Sequence, residues 1–242
     1  MKRLSRYDIE LIAQRIVKAY KDLPEVKNNL FFKINPELMA TQLLGLNIDY
    51  EHLSLDGETL GLTTFCDMGV EVYDAEGEPF LYMLDGTTIL VESDLKNDIT
   101  QVGRCNFSIM HECAHQALKM LYPKEYGADS NSSAAVHFYK ANSEKKKPIK
   151  DWEEWQANTL ASAIFLPAES IKQGMFLFGL GDKIDILNKI FRRHDYEKFC
   201  TLADYLGCSK KALAIRMKYL GLLNKDYLDD PYSITDVMYG GI

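Results

Sequence analysis

The chain has 242 residues, a formal net charge of −7 and a hydrophobic content of 47%, which is enough for one larger domain and a small one. No apolar run approaches the roughly eighteen residues that a membrane-spanning helix needs, and the charged N-terminus lacks the core of a signal peptide. The acidic balance disfavours non-specific binding to nucleic acid, although a local basic patch would be compatible with it. We therefore expect a globular protein of the cytoplasm with no membrane partner.

Cysteine usage agrees with that compartment. The five cysteines include no Cys-x-x-Cys pair. An odd number without this pairing argues against a disulfide framework and against a structural zinc site. We expect reduced thiols at Cys66, Cys105, Cys113, Cys200 and Cys208.

The N-terminal part of the chain predicts two helices. Ser5 is the expected N-cap of the first, which should end near Lys21. Asn35 and Pro36 predict the start of a short second helix that ends near Gly45, because asparagine caps a helix and proline suits its first turn. The buried face of the first helix is predicted to hold Ile9, Ile12, Ile16 and Tyr20.

Beyond the second helix the sequence predicts strands. Five short segments are rich in branched and aromatic residues and are separated by turn signals such as Asp85-Gly86. They predict a small, mostly antiparallel sheet. The segments are 47–53, 63–67, 70–73, 80–83 and 87–92.

A helix with two histidines is predicted from Arg104 to Tyr122. Neither proline nor glycine interrupts this run, and Pro123 ends it because the proline ring cannot continue the hydrogen-bond ladder. An apolar stripe adjoins His111 and His115 and should turn them toward the interior. The stripe consists of Phe107, Met110, Ala114, Leu118 and Leu121.

The spacing of His111, Glu112 and His115 indicates a catalytic metal site. Residues four apart share one face of a helix, so both imidazoles can reach one ion while Glu112 lies beside them. A catalytic zinc keeps three protein ligands and a water whose pKa falls toward about 7, and Glu112 would take that water's proton. Two histidines and a carboxylate also suit manganese or iron, so these metals stay open.

The third ligand is expected on a helix that begins at Asp151 and stops before Pro167. Glu154 and Asn158 are four apart and project on the same side. Glu154 would bind the metal, and Asn158 would hydrogen-bond the far nitrogen of a ligand histidine. Glu153 is the competing ligand, but an alanine stands one turn after it.

Together these two helices resemble the ImmA/IrrE family of zinc metallopeptidases. In that family a phenylalanine-led helix carries the two histidines, and a helix of the form Glu-x-x-Ala-Asn-x-x-Ala, closed by Leu-x-Pro or a near variant, carries the glutamate. This chain has Phe-Ser-Ile-Met-His-Glu-Cys-Ala-His and Glu-Trp-Gln-Ala-Asn-Thr-Leu-Ala. The resemblance implies one Zn²⁺ held by His111, His115 and Glu154, with Glu112 as the catalytic base.

The resemblance also implies a fold. We expect the α+β class, with a small mostly antiparallel sheet, zincin-type active-site helices and a helical C-terminal part. The metallopeptidase-like domain is expected over residues 1–180 and the helical region over 181–242. Among peptidases of this general build an edge strand binds extended substrate by strand addition, and we expect Thr87–Glu92 to be that edge.

A polar stretch from Pro123 to Lys150 predicts a long loop between the two metal-binding helices. Peptide hydrolysis passes through an oxyanion that needs a donor besides the metal. Candidate donors from this stretch are His137, Tyr139 and Tyr126, although such residues in loops are usually ordinary surface or packing residues. His52 and His194 have no ligand partners nearby in the sequence, so we interpret them as structural.

Residues 199–223 have the pattern of a helix-turn-helix. Ala203, Gly207, Ser209 and Leu213 supply the small residue, turn glycine, cap and core position of that motif. The second helix is basic and could enter a DNA groove, yet two helices crossing at a glycine are also an ordinary packing unit. The acidic chain disfavours DNA, so contact with a DNA-binding protein is the preferred interpretation. The basic residues are Lys210, Lys211, Arg216 and Lys218.

Two functions from different classes follow. The first is a zinc metalloendopeptidase, and the resemblance implies that its substrate is a helix-turn-helix transcriptional repressor, often encoded nearby on a mobile element or phage, whose cleavage derepresses genes. The second is a regulatory module that holds DNA or a repressor and has a non-catalytic metal site. The first is favoured because a structural zinc needs neither Glu112 nor an open coordination position. The cleaved bond, the activating signal and the oligomeric state stay open.

Overall fold

The computed structural model describes residues 3–29, 32–126, 136–140 and 152–233. It describes only the backbone of Tyr126, Val136, His137 and Phe138. The chain forms two compact units, Met1–Asn29 with Ile34–Phe165 and Leu30–Lys33 with Leu166–Ile242. This division falls earlier in the chain than the boundary predicted at residue 180. Within the described ranges no helix is long and apolar enough to cross a membrane.

The first unit begins with helix α1 (Arg6–Lys21), whose start follows from its capping residues. The Ser5 hydroxyl accepts the N–H of Asp8, and the Asp8 carboxylate accepts the N–H of Ser5, which forms a capping box. The predicted cap and end are confirmed. The buried face is rotated slightly from the prediction: Ile12 and Ile16 are only half-buried, and the core positions are Ile9, Ala13, Val17 and Tyr20.

The short second helix also forms as predicted. Helix α2 spans Pro36–Leu38 and continues as a π-helical turn over Met39–Leu43. The Asn35 side chain accepts the N–H of Leu38 at 3.2 Å, which caps the helix. Past its end, Gly45 has a φ of 65°, a left-handed conformation that glycine adopts without strain.

A four-stranded sheet follows in the order β1-β5-β2-β6. Its strands are β1 (Asn47–Glu51), β2 (Thr59–Thr64), β5 (Thr88–Glu92) and β6 (Val136–Lys140). Strand β5 pairs parallel with β1 and antiparallel with β2, and β2 pairs antiparallel with β6. The sheet is therefore mixed and mostly antiparallel.

The prediction that Thr87–Glu92 forms an edge strand is wrong. Strand β5 lies between β1 and β2, and all five of its residues are buried. Its run of Ile89, Leu90 and Val91 presents apolar side chains to both faces, which is typical of a central strand. Among the described strands an edge is formed instead by β6. Strand β6 and helix α4 (Pro123–Tyr126) both lie inside the stretch that was predicted to be a loop.

A separate two-stranded ribbon consists of β3 (Asp67–Tyr73) and β4 (Pro79–Asp85). The predicted break near residue 69 is wrong because β3 continues through Gly69. A Cβ at Gly69 would lie 2.9 Å from the side chain of Leu81, so the glycine makes room for the opposite strand. The ribbon and the main sheet share a buried core of Leu53, Leu62, Val70, Val72, Leu84 and Leu90.

Two helices of the first unit hold the predicted metal-binding motifs. Helix α3 (Val102–Leu121) ends before Pro123, and helix α5 (Trp152–Phe165) ends before Pro167, both as predicted. Helix α3 packs against α5 and against strand β2. The predicted cap at Asp151 lies outside the described residues.

The second unit contains α6 (Ala168–Leu177), α7 (Arg193–Leu206) and α8 (Lys210–Tyr219), together with a parallel ribbon of β7 (Ile184–Leu187) and β8 (Leu223–Asp226). Helices α7 and α8 meet at Gly207, whose φ is 69°, and the Ser209 hydroxyl accepts the N–H of Ala212. Two helices joined by a glycine turn thus lie within the predicted segment 199–223 and just before it. The ribbon was not predicted, because four-residue strands are too short to show a clear alternation.

Candidate metal centre

Three candidate ligand side chains converge on one point in the first unit. His111 and His115 lie one turn apart on α3, and their Nε2 atoms are 3.0 Å apart. Glu154, in the first turn of α5, places Oε2 3.2 Å from Nε2 of His111 and Oε1 3.0 Å from Nε2 of His115. Ligand atoms around a tetrahedral zinc lie about 3.3 Å from one another, so these separations fit a single ion.

The donor set is enclosed by protein. His111 and His115 are fully buried, and only the Glu154 side chain is partly exposed, at 28%. Glu153 stands beside Glu154 on α5 but is not part of this group of donors. The glutamate that lies with the two histidines is therefore Glu154, the one that the sequence favoured.

Glu112 lies against this group with its side chain fully buried. Within the described part of the chain, neither of its carboxylate oxygens has a hydrogen-bond partner. Burial, and secondly the charge of Glu154, raise the pKa of Glu112 well above its usual value. A buried polar group without a partner is costly. A cation with its water would satisfy this carboxyl, so the residues present fit a bound zinc.

Gly61 of β2 provides the space that Glu112 occupies. A Cβ at this position would lie 2.7 Å from Oε1 and 3.1 Å from Cγ of Glu112. Any larger residue would have to displace the carboxylate. Gly61 was not predicted from the sequence, although a glycine inside a strand often marks a close approach of this kind.

Gln116, next to His115, anchors helix α3 to the sheet. Its buried amide donates to the hydroxyl of Thr63 at 2.7 Å and to the carbonyl of Thr64 at 2.8 Å. The same nitrogen lies 3.3 Å from the carbonyl oxygen of Gly86. Because these bonds join α3 to β2, they fix the position of the candidate metal ligands on α3 relative to the strand. This role was also missed from the sequence.

Of the three predicted oxyanion donors, Tyr139 is the one whose side chain is seen beside the candidate metal centre. Its ring is 4.4 Å from that of His111 and 5.8 Å from that of Phe107, measured between centroids. His137 belongs to β6 and Tyr126 to α4, but their side chains lie outside the described part of the structure.

The surroundings of Tyr139 keep its hydroxyl protonated. Burial raises the pKa of Tyr139, and the charge of Arg104 opposes this effect. The carboxylates of Glu112 and Glu154 raise it further. The hydroxyl is therefore available as a hydrogen-bond donor at neutral pH.

Asn158 is half-buried one turn after Glu154 on α5. Nδ1 of His111 has no hydrogen-bond partner among the described residues, so Asn158 does not bond to it. The role predicted for Asn158 toward a ligand histidine stays a prediction.

His52 has partners that the sequence analysis did not foresee. Its Nδ1 is 3.0 Å from Oε1 of Glu92 and 4.0 Å from Oδ1 of Asp94. The sequence did not reveal these partners, because pairing of β1 with β5 brings together residues about forty positions apart. The interpretation of His52 as structural stays a prediction. His194 is exposed on α7.

The basic residues of α8 are largely engaged within the second unit. Arg216 is buried, and its Nε donates to the carbonyl of Leu166 at 3.0 Å. Lys218 forms an ion pair with Asp226, and Lys211 lies 3.4 Å from Asp229. Helix α8 therefore does not present all four predicted charges to solvent.

No protein-family model matches this chain, and no curated protein is significantly similar to it. The function of the chain is consequently inferred from the residues of the centre and their geometry.

Proposed function

We propose that this protein is a zinc-dependent endopeptidase of the kind that its two helical motifs resemble, the ImmA/IrrE metallopeptidases. One observation carries the proposal. The Nε2 atoms of His111 and His115 and the carboxylate of Glu154 lie within 3.2 Å of one another, with Glu112 buried beside them.

Each residue of the centre has a distinct role in this proposal. His111, His115 and Glu154 would hold the ion. A bound zinc would polarise the scissile carbonyl and lower the pKa of a water toward about 7. Glu112 accepts the proton of that water and delivers it to the leaving amine. The Tyr139 hydroxyl donates to the developing oxyanion.

The substrate that we propose is a helix-turn-helix transcriptional repressor, whose cleavage would derepress genes. Strand β6 supports an extended mode of binding, because it is an edge strand among the described residues and its Tyr139 contacts a ligand histidine. We place the activity in the cytoplasm, since all five cysteines are free thiols.

A regulatory binding module is the second candidate, and the helix-turn-helix of α7 and α8 favours it. In that case the second unit would hold a repressor or DNA while the metal served only stability. The internal bonds of Arg216 and Lys218 make protein the better partner than DNA.

Co-expression with a helix-turn-helix repressor encoded near the gene tests the proposal. We expect the parent to cleave the repressor and Glu112→Gln to leave it intact while still binding zinc. Gln14→Leu, an exposed change on α1, serves as the control and should cleave normally. An intact repressor that co-purifies with the parent would contradict the peptidase and support the binding module.

A further inference from the structure

A second group of metal-ligand side chains lies where β1 and β5 end, and it shares no residue with the centre described above. His52 follows β1 directly, and Glu92 is the last residue of β5. Ser93 and Asp94 belong to the 3₁₀ turn Ser93–Leu95 that comes next. Because β1 and β5 are parallel neighbours, their ends meet at the same edge of the sheet.

The donor atoms of this group are close to one another. Nδ1 of His52 lies 3.0 Å from Oε1 of Glu92 and 2.8 Å from Oγ of Ser93, which is itself 3.3 Å from that carboxylate oxygen. Oδ1 of Asp94 is 4.0 Å from Nδ1 of His52. Donor atoms about 2.1 Å from a cation stand roughly 3.0–3.4 Å apart, so only Asp94 would have to move closer.

One side of the group is held in place and the other is open. Glu92 is buried, and its Oε2 accepts the N–H of Leu53 at 2.9 Å, which orients the carboxylate as a supporting bond does in metal sites. The side chain of His52 is 38% exposed and that of Asp94 is 78% exposed. An ion can therefore enter from solvent, and the exposed Asp94 can adjust to it.

The charge distribution independently favours a cation. In the parallel register the Cα of Glu51 is paired with that of Glu92, so two acidic residues occupy opposed positions on neighbouring strands. Together with Asp94 they give this end of the two strands three acidic side chains, and like charges repel. A divalent ion would offset this repulsion.

We propose that His52, Glu92 and Asp94, with the hydroxyl of Ser93, form a second divalent-cation site. Mixed imidazole and carboxylate donors suit first-row ions such as Zn²⁺ or Mn²⁺. The bound ion joins the end of β1 to the turn that follows β5 and so stabilises the first unit. The site is independent of the proposed peptidase, because none of its ligands belongs to the candidate metal centre.

Equilibrium dialysis of the full chain against Zn²⁺, with bound metal counted by mass spectrometry, tests this site. We expect the parent to bind two ions. Asp94→Asn and His52→Gln should each weaken one of them by at least about tenfold, since changes even to supporting residues of metal sites cost that much. His111→Ala should lose the other ion. The matched control His194→Ala removes an exposed histidine and should keep both.

A melting experiment gives a second readout in the His111→Ala background. Zn²⁺ should raise the Tm of this variant, and the additional change Asp94→Asn should abolish the rise. The proposal is overturned if Asp94→Asn and His52→Gln bind as much zinc as the parent, or if His194→Ala loses an ion equally. Failure of the candidate metal centre would appear separately, as a His111→Ala variant that loses no zinc.

Discussion

Gly61 and Glu112 meet where strand β2 packs on helix α3, with the glycine leaving just the space that the buried carboxylate fills. A Cβ at Gly61 would stand 2.7 Å from Oε1 of Glu112, a distance that real contacts do not show. The position of the proposed base is therefore defined by a backbone segment that binds no metal. A change at Gly61 can therefore move the Glu112 carboxylate without altering any of the three candidate metal ligands.

Gly61→Ala is expected to impair cleavage without removing zinc. The new methyl group displaces the Glu112 carboxylate while the three ligands are untouched, and misplacement of a reacting group by about 1 Å costs roughly a hundredfold in rate. Cleavage rate and zinc content should be measured on the same preparation. Gly57→Ala is the control, because that glycine has no atom within 4 Å of its Cβ position and should lose only stability. Full activity in Gly61→Ala would contradict the assignment of Glu112 as the base.

Glu154→Gln and Glu153→Gln form a matched pair on α5. Glu154 contacts both histidines, and Glu153 is outside the donor group. We expect Glu154→Gln to weaken zinc binding by at least about a hundredfold, since even supporting residues of metal sites contribute 10–100-fold. Glu153→Gln should bind like the parent in a competition titration with a chelator. Equal losses in both variants would show that the ligand assignment is wrong.

Tyr139→Phe should lower kcat and leave zinc binding unchanged. The phenylalanine keeps the ring contact with His111 but removes the hydroxyl, and loss of one oxyanion donor costs about 10²–10³ in kcat. Steady-state kinetics on a peptide from the cleaved repressor would separate kcat from KM. A variant with unchanged kcat would assign Tyr139 to packing alone.

Gln116→Leu is expected to destabilise the first unit. It leaves the Thr64 carbonyl without its amide donor in a buried position, a cost of about 1–3 kcal/mol in the free energy of unfolding. Urea unfolding followed by circular dichroism measures the change. Gln14→Leu is the control, since Gln14 is exposed on α1 and surface changes stay within about 0.5 kcal/mol. Similar midpoints for the two variants would contradict an anchoring role.

Features that depend on neighbours along the chain could be predicted from the amino-acid sequence. The capping box at Ser5, the stop before Pro123 and the shared helical face of His111 and His115 each involve residues within one or two helical turns. Local geometry alone fixes such relationships, so the helices of the candidate centre could be predicted with their ends. The favoured choice of Glu154 over Glu153 followed from spacing in the same way.

Which distant segments of the chain meet depends on the tertiary fold. The sequence could not show that β5 is central and β6 an edge, because strand order depends on pairings between segments far apart in the chain. For the same reason it revealed neither the space that Gly61 leaves for Glu112 nor the contact of His52 with Glu92. The burial and the charge of both groups of candidate ligands arise from the packing of these distant segments against one another. No pattern of neighbouring residues in the sequence encodes that packing.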